Sequence, residues 1–173
     1  MVKRVALIAD GSKSDLYACF CAVKLAKRMD ASLFSILLLP RSEQGYSGWE
    51  TGDEVWNEFS PSSLWQLISG LCSLEDVQAS FHLLPKDSDA ELVDFLVSNK
   101  VSCLIAGAAD DDEFEYKKEW SSRIIKGVIG HSKWYMGNPT VFLAKPWNDE
   151  SFRKILKQLS SDCSLYPIEI ASV

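Results

Sequence analysis

The sequence lacks the short motifs that mark several large classes of enzymes and metal proteins. It has only two histidines, and neither G-x-S-x-G nor H-E-x-x-H occurs in it, so no hydrolase or zinc-protease signature is present. Its five cysteines form no C-x-x-C pair, which argues against both a disulfide framework and a tetrahedral zinc site. We therefore expect most of these cysteines to be small, reduced core residues, and we do not expect an enzyme.

Basic charge and long apolar runs are also scarce. The chain has 18 lysines and arginines against 24 acidic residues, a net charge of -6. Nucleic acids and anionic membranes bind proteins through a basic face, so we expect neither as a partner. The first apolar run, Val5 to Ala9, is too short for a signal-peptide core or a membrane span, which predicts a cytoplasmic protein.

What the chain does contain is an alternation of strand-like and helix-like segments. Hydrophobic residues make up 47% of its 173 residues, enough for one compact core. The alternation predicts an α/β fold of βαβ units with a five-stranded parallel sheet. The periodicities predict strands over 3–9, 32–39, 77–84, 101–106 and 140–144, and helices over 16–29, 64–74, 89–99 and 120–135.

Two further segments flank or interrupt this domain, which we place at 1–147. The polar stretch 41–63 contains Trp49 and Trp56 and predicts a long loop or lid. Residues 148–173 predict an amphipathic helix followed by an apolar tail, packed on the domain or at an interface. Within the domain, Ser88 followed by Glu91 predicts a capping box at the start of the third helix.

The fourth strand has the most informative ending. It closes on Gly107 and is followed by an acidic run from Asp110 to Glu113. Loops at the carboxyl ends of parallel strands hold ligands in such folds, and glycine lets backbone N–H groups approach a phosphate. A carboxylate roughly 6 Å from a phosphate charge opposes binding by about 3 kcal/mol at an effective dielectric near 20. The run predicts a solvated loop, with a hard divalent cation as the alternative occupant.

Lysines follow the acidic run. Lys117, Lys118 and Lys126 predict ordinary charges on the surface of the fourth helix. The alternative is that this helix folds back over the end of the sheet, so that its lysines offset the acidic charge.

Several of these segments, in their order, resemble the universal stress protein family. The opening Val5 to Ser12 is similar to the family's first strand with its Asp-Gly-Ser turn, and Val101 to Gly107 is similar to its fourth strand. Asn138 to Leu143 is similar to the proline-led fifth strand. The resemblance covers roughly residues 3–145. It implies a doubly wound, Rossmann-like parallel sheet with helices on both faces, like that of the adenine nucleotide alpha hydrolases.

The resemblance also implies where a nucleotide would bind. Members that bind ATP carry a loop of the form Gly-x2-Gly-x9-Gly-Ser/Thr after the fourth strand. Counted from Gly107, the later glycine positions fall on Asp110 and Trp120, and the final hydroxyl falls on Ser121. Asp10 matches the acid beside the adenosine moiety, with a cap for the first helix as its alternative, and Leu38 on the second strand completes the implied nucleotide site.

These observations lead to a specific functional expectation. Asp and Trp do not permit the close backbone approach that glycine gives a phosphate loop. We therefore expect a regulatory or binding protein similar to universal stress proteins, without a cofactor, that does not bind ATP in the family manner. The alternative is an ATP- or AMP-binding regulator of the same family. The resemblance further implies a homodimer paired through the fifth strand, and a protein partner is a further expectation.

Overall fold

The computed structural model describes residues 3–12, 14–39, 61–108, 110–131 and 139–145. These residues form five strands and four helices that alternate along the chain. The strands are β1 (Lys3–Ala9), β2 (Ala31–Leu39), β3 (Ala79–Pro85), β4 (Cys103–Gly107) and β5 (Thr140–Ala144). The helices are α1 (Ser14–Met29), α2 (Pro61–Glu75), α3 (Asp89–Ser98) and α4 (Asp111–His131).

All five strands form one parallel sheet in the order β3-β2-β1-β4-β5. The chain builds the sheet outward from β1 in one direction through β2 and β3, and then in the other through β4 and β5. The point where the direction reverses lies between β1 and β4, and open α/β sheets bind ligands at the carboxyl ends of the strands at this point. The predicted doubly wound α/β fold is confirmed.

Alternate side chains of β1 pack into two separate cores, one on each face of the sheet. Val5, Leu7 and Ala9 lie in the core that α1 and α2 cover. Ala6 and Ile8 lie in the core that α3 and α4 cover. Because side chains alternate along a strand, the central strands must be apolar at every position, which is why their sequences read as continuous hydrophobic runs.

Most of the predicted elements agree with the structure. The bounds of β1 and β5 are those predicted, and Ser88 is the N-cap of α3, where its side chain accepts a hydrogen bond from the Glu91 N–H. The loop predicted over 41–63 lies outside the described residues as far as residue 60, and α2 begins at Pro61. The helix and tail predicted over 148–173 lie outside them entirely.

The predicted start of α4 is wrong. The helix begins at Asp111, nine residues before the predicted start at Trp120, and it ends at His131. The acidic run is therefore its cap and first turn and not a solvated loop. Asp110 Oδ1 accepts a hydrogen bond from the Glu113 backbone N–H at 2.8 Å, as an N-cap does. Carboxylates are favoured at this position because the helix dipole places partial positive charge there.

Candidate functional site

The turn between β1 and α1 is held by two carboxylates. Gly11 has φ of 86°, a backbone conformation that suits glycine. Asp10 Oδ1 accepts a hydrogen bond from the Ser12 N–H at 3.1 Å. Asp15 Oδ2 accepts the N–H groups of Asp10 at 2.9 Å and Gly11 at 2.7 Å. Asp10 thus fixes the turn that leads into α1: its side chain bonds Ser12, two residues before the helix begins, whereas an N-cap side chain accepts from an N–H group of the first helical turn.

Two lysines from distant parts of the chain converge on Asp10. Lys117 Nζ, from α4, lies 3.5 Å from Asp10 Oδ2, and Lys86 Nζ, from the segment after β3, lies 3.6 Å from the same oxygen. The Lys117 side chain is only 8% exposed, whereas that of Lys86 is half exposed. We call Asp10, Asp15, Lys86 and Lys117 the Asp10 cluster.

The expectation that Lys117 is a surface charge was therefore wrong. As in the alternative, α4 lies over the end of the sheet, but the carboxylate that Lys117 meets is Asp10 and not one of the acidic run. The early start of α4 places the second turn of the helix across the end of β1. Lys117 Nζ also lies 6.0 Å from the centroid of the Trp120 ring. A buried ammonium needs a compensating anion, and Asp10 supplies it.

The two carboxyl groups of the cluster have opposite pKa shifts. Burial alone would raise the pKa of Asp10, but Lys117, the Ser12 hydrogen bonds and Lys86 outweigh burial and hold the pKa below its usual 3.8. Burial and the neighbouring charge of Asp10 raise the pKa of Asp15 to about 7. Lys117 and the two turn N–H groups oppose that rise without cancelling it.

Gly107 lies at the same end of the sheet, where Ser14 of α1 packs directly against it. A Cβ placed on it would lie 2.3 Å from the carbonyl oxygen of Ser14 and 2.6 Å from the Ser14 carbonyl carbon. The missing side chain therefore lets the first turn of α1 pack directly against the end of β4. The structure gives this glycine a packing role, independent of any phosphate.

The first turn of α4 is tied to the rest of the domain. Ser14 Oγ donates to Glu113 Oε1 at 3.0 Å and lies 2.7 Å from Ser12 Oγ. Lys145, which follows β5, pairs with Asp111. These contacts join α1, α4 and β5 around the carboxyl ends of the central strands.

The remaining two predicted site residues, Leu38 and Ser121, lie on the sheet face that α3 and α4 cover. Leu38 is 7% exposed and belongs to the same sheet face as Ile8, beneath α3 and α4. Ser121 is buried within α4, where its hydroxyl donates to the Lys118 carbonyl at 3.0 Å. It lines a small apolar pocket between α4 and the sheet. Asp10 and Gly107 both contact the start of α1, but the structure places Ser121 among apolar side chains.

Sequence reasoning missed Asp15 and Lys86. The sequence pattern marks Asp15 only as part of the turn and cap, although an acid in the first turn of a helix that follows a buried strand is well placed to accept turn N–H groups. No local sequence pattern indicates Lys86, because it follows β3 whereas Asp10 follows β1, and β2 lies between these two strands in the sheet. Among the described residues, no three His, Cys, Asp or Glu side chains are grouped so that they could hold a metal ion.

Comparison with known proteins supports the resemblance at the level of the fold. No family profile matches the sequence, and no curated protein sequence matches it. A universal stress protein family member from Burkholderia pseudomallei superposes with a TM-score of 0.53 at 13% identity, over 82% of this chain and 94% of that one. A universal stress protein solved in complex with cAMP gives 0.52 at 13% identity, over 83% and 97%. The chain has the fold of the universal stress proteins.

Proposed function

We propose that this chain is a divergent universal stress protein that acts as a regulatory binding protein, has no enzymatic activity and does not hold ATP in the family manner. The observation that carries the proposal is the start of α4 at Asp111. Residues 111–119, which lie between the second and third glycine positions of the family pattern, consist of helical turns in this chain.

The helical conformation removes what a triphosphate needs. A phosphate loop offers free backbone N–H groups, whereas in a helix only the N–H groups of the first turn are free. One of these, that of Glu113, is already bonded to Asp110. The same turn carries carboxylates at 111, 112 and 113, whose charge opposes a polyphosphate.

A second candidate function is an AMP- or ATP-binding regulator of the same family. The observation that favours it is the position of Asp10, which is 16% exposed at the end of β1 with two ammonium groups beside it. A neighbour of the same fold was solved with cAMP. In this alternative an adenosine moiety would contact Asp10, and the phosphate would avoid the acidic turn.

Nucleotide content and thermal stability separate these two functions. For the proposed function, we expect no adenine nucleotide in a denatured extract of the purified protein. We also expect millimolar Mg-ATP, AMP or cAMP to change the melting temperature by less than about 1 °C, since only a ligand that binds the native state raises it. A larger shift that Asp10→Asn abolishes would overturn the proposal and support the second function.

We further propose that the protein is a homodimer paired through β5. In the part of the chain that the structure describes, β5 pairs only with β4, and its other edge has no strand beside it. Phe142 on this strand is 47% exposed. An apolar edge strand of this kind is a template for pairing with a second copy.

A charge on β5 tests this interface. Because an unpaired carboxylate is costly to bury, we expect Phe142→Asp to convert the dimer to a monomer in sedimentation equilibrium. Leu83→Asp is the matched control, since Leu83 is an exposed leucine on β3, the strand at the opposite edge. An unchanged mass for Phe142→Asp, or dissociation by both variants alike, would count against pairing through β5.

A cytoplasmic location and a protein or small-molecule partner complete the proposal. Cys19, Cys21, Cys72 and Cys103 are free thiols in the structure, as in a reducing compartment. None of the described helices combines the length and the apolar character that crossing a bilayer requires. The net charge of -6 supports a partner other than nucleic acid.

A further inference from the structure

We propose that Asp15 is a proton-responsive carboxyl whose charge state controls how firmly α4 is held over the end of β1, through Asp10 and Lys117. The proposal does not depend on the proposed function. It rests on the burial of Asp15, on an oxygen of its carboxyl group that has no partner among the described residues, and on the contacts around it.

The surroundings of the Asp15 carboxyl group favour its neutral form unless a nearby cation compensates its negative charge. The residue is fully buried, and its Oδ1 has no hydrogen-bond partner within the described part of the chain. Its Oδ2 accepts two N–H groups, which favour the charged form but can also be accepted by a neutral carboxyl group. Ionisation would place a second negative charge beside Asp10 with one oxygen unsatisfied, which is unfavourable in a buried site.

The charged groups around Asp15 come from several elements. Asp10 in the turn disfavours ionisation, and Lys117 of α4 favours it. Lys86 pairs with Asp10, and Glu113 of α4 accepts a hydrogen bond from Ser14, the residue before Asp15. Burial raises the pKa of Cys19, one turn along α1, well above its usual value, so this thiol is neutral near pH 7.

Lys117 is the group through which a change at Asp15 reaches α4. Its ammonium lies 3.5 Å from Asp10, a long ion pair, so it has no short hydrogen bond to this carboxylate to lose. When Asp15 ionises, the ammonium is shared between two carboxylates. The Trp120 ring lies 6.0 Å from Lys117 Nζ, so a movement of the ammonium towards Asp15 changes the electrostatic environment of the indole group.

The direction of the pH effect on stability follows from the pKa of Asp15. Its native pKa of about 7 lies above the usual 3.8 of an unfolded chain. Between these two pH values the native state therefore binds more protons than the unfolded state does. This contribution to the free energy of unfolding is complete below pH 3.8, decreases as the pH rises towards 7, and is lost above 7. Asp10 has the opposite sign, since its lowered pKa contributes stability only above its native value.

The test is an NMR titration of the full chain from about pH 5 to about pH 9, a range that brackets the expected Asp15 midpoint. We expect the Asp15 carboxyl carbon shift to titrate with a midpoint of about 7, and the Trp120 indole N–H shift to follow the same midpoint. Asp15→Asn removes the step at Trp120. Asp94→Asn, at an exposed position on α3, is the matched control and leaves both steps in place.

Two results would overturn the proposal. One is an Asp15 carboxyl carbon shift that shows no step between about pH 5 and about pH 9, as expected of a midpoint near the usual 3.8. The other is a Trp120 shift that does not follow an Asp15 titration near 7. If Asp15→Asn does not fold, Lys117→Met serves as the second variant. It removes the cation that favours ionisation, so we expect the Asp15 midpoint to rise and the Trp120 step to disappear. An unchanged midpoint would contradict the coupling.

Discussion

Gly107→Ala is expected to lower the free energy of unfolding by about 3 kcal/mol, at the upper end of the usual cost of overpacking. The added methyl group would lie 2.3 Å from the Ser14 carbonyl oxygen. Because the obstructing atoms nearest to it are backbone, no side chain can rotate away. The first turn of α1 must move off β4, which also disturbs the Ser14 contact with Glu113.

Chemical denaturation measures this effect, and the chain offers a matched control. Gly130 lies exposed in α4, and within the described part of the chain a methyl group added there would meet no neighbouring atom within 4 Å. Alanine is a better helix former than glycine, so Gly130→Ala should stabilise the protein by about 0.5–1 kcal/mol. A cost for Gly107→Ala below about 0.5 kcal/mol, far less than overpacking costs, would show that α1 does not pack on Gly107 as described.

Asp10→Ala is expected to cost about 3 kcal/mol of stability near pH 7, because it leaves a buried ammonium without its compensating anion. Lys117 is 8% exposed and cannot turn to water without moving α4. The substitution also removes the acceptor of the Ser12 N–H. Loss of the Asp10 charge makes ionisation of Asp15 easier, which offsets part of the cost.

A double-mutant cycle isolates the buried pair. Lys117→Met removes the charge with little change of volume, so in the Asp10→Ala background it should recover at least about 1.5 kcal/mol. Lys86→Ala is the matched control, since Lys86 pairs with the same oxygen but is half exposed and should contribute no more than about 0.5 kcal/mol. Additive effects of the Asp10 and Lys117 changes would contradict the assigned pair.

The sequence is sufficient for the parts of the fold that local patterns determine. Strands buried on both faces must be apolar throughout, which is why the predicted strand over 3–9 is correct. The N-cap at Ser88 is predictable because a hydroxyl and an acid three residues later satisfy each other locally. Hydrophobic periodicity similarly locates α1 and α2 to within a few residues.

The candidate site is harder to predict, because it depends on where α4 begins. The first turns of α4 are acidic and carry few apolar residues, so hydrophobic periodicity detects only the part after Trp120. A cap signal is present in Asp110 and Glu113, but an acidic run is equally typical of a loop. Lys117 and Lys86 meet Asp10 only in the folded chain, and no local pattern encodes that meeting.

The proposed function requires that the chain does not hold ATP at the carboxyl end of β4, where α4 begins at Asp111. Isothermal titration calorimetry of the full chain with Mg-ATP tests it most directly. We predict no saturable heat at nucleotide concentrations up to about 1 mM, a limit that corresponds to roughly 4 kcal/mol of binding free energy. Saturable binding in the micromolar range that Asp110→Gly or Ser121→Ala alters would show that residues of the family's loop pattern hold the nucleotide, and would contradict the proposed function.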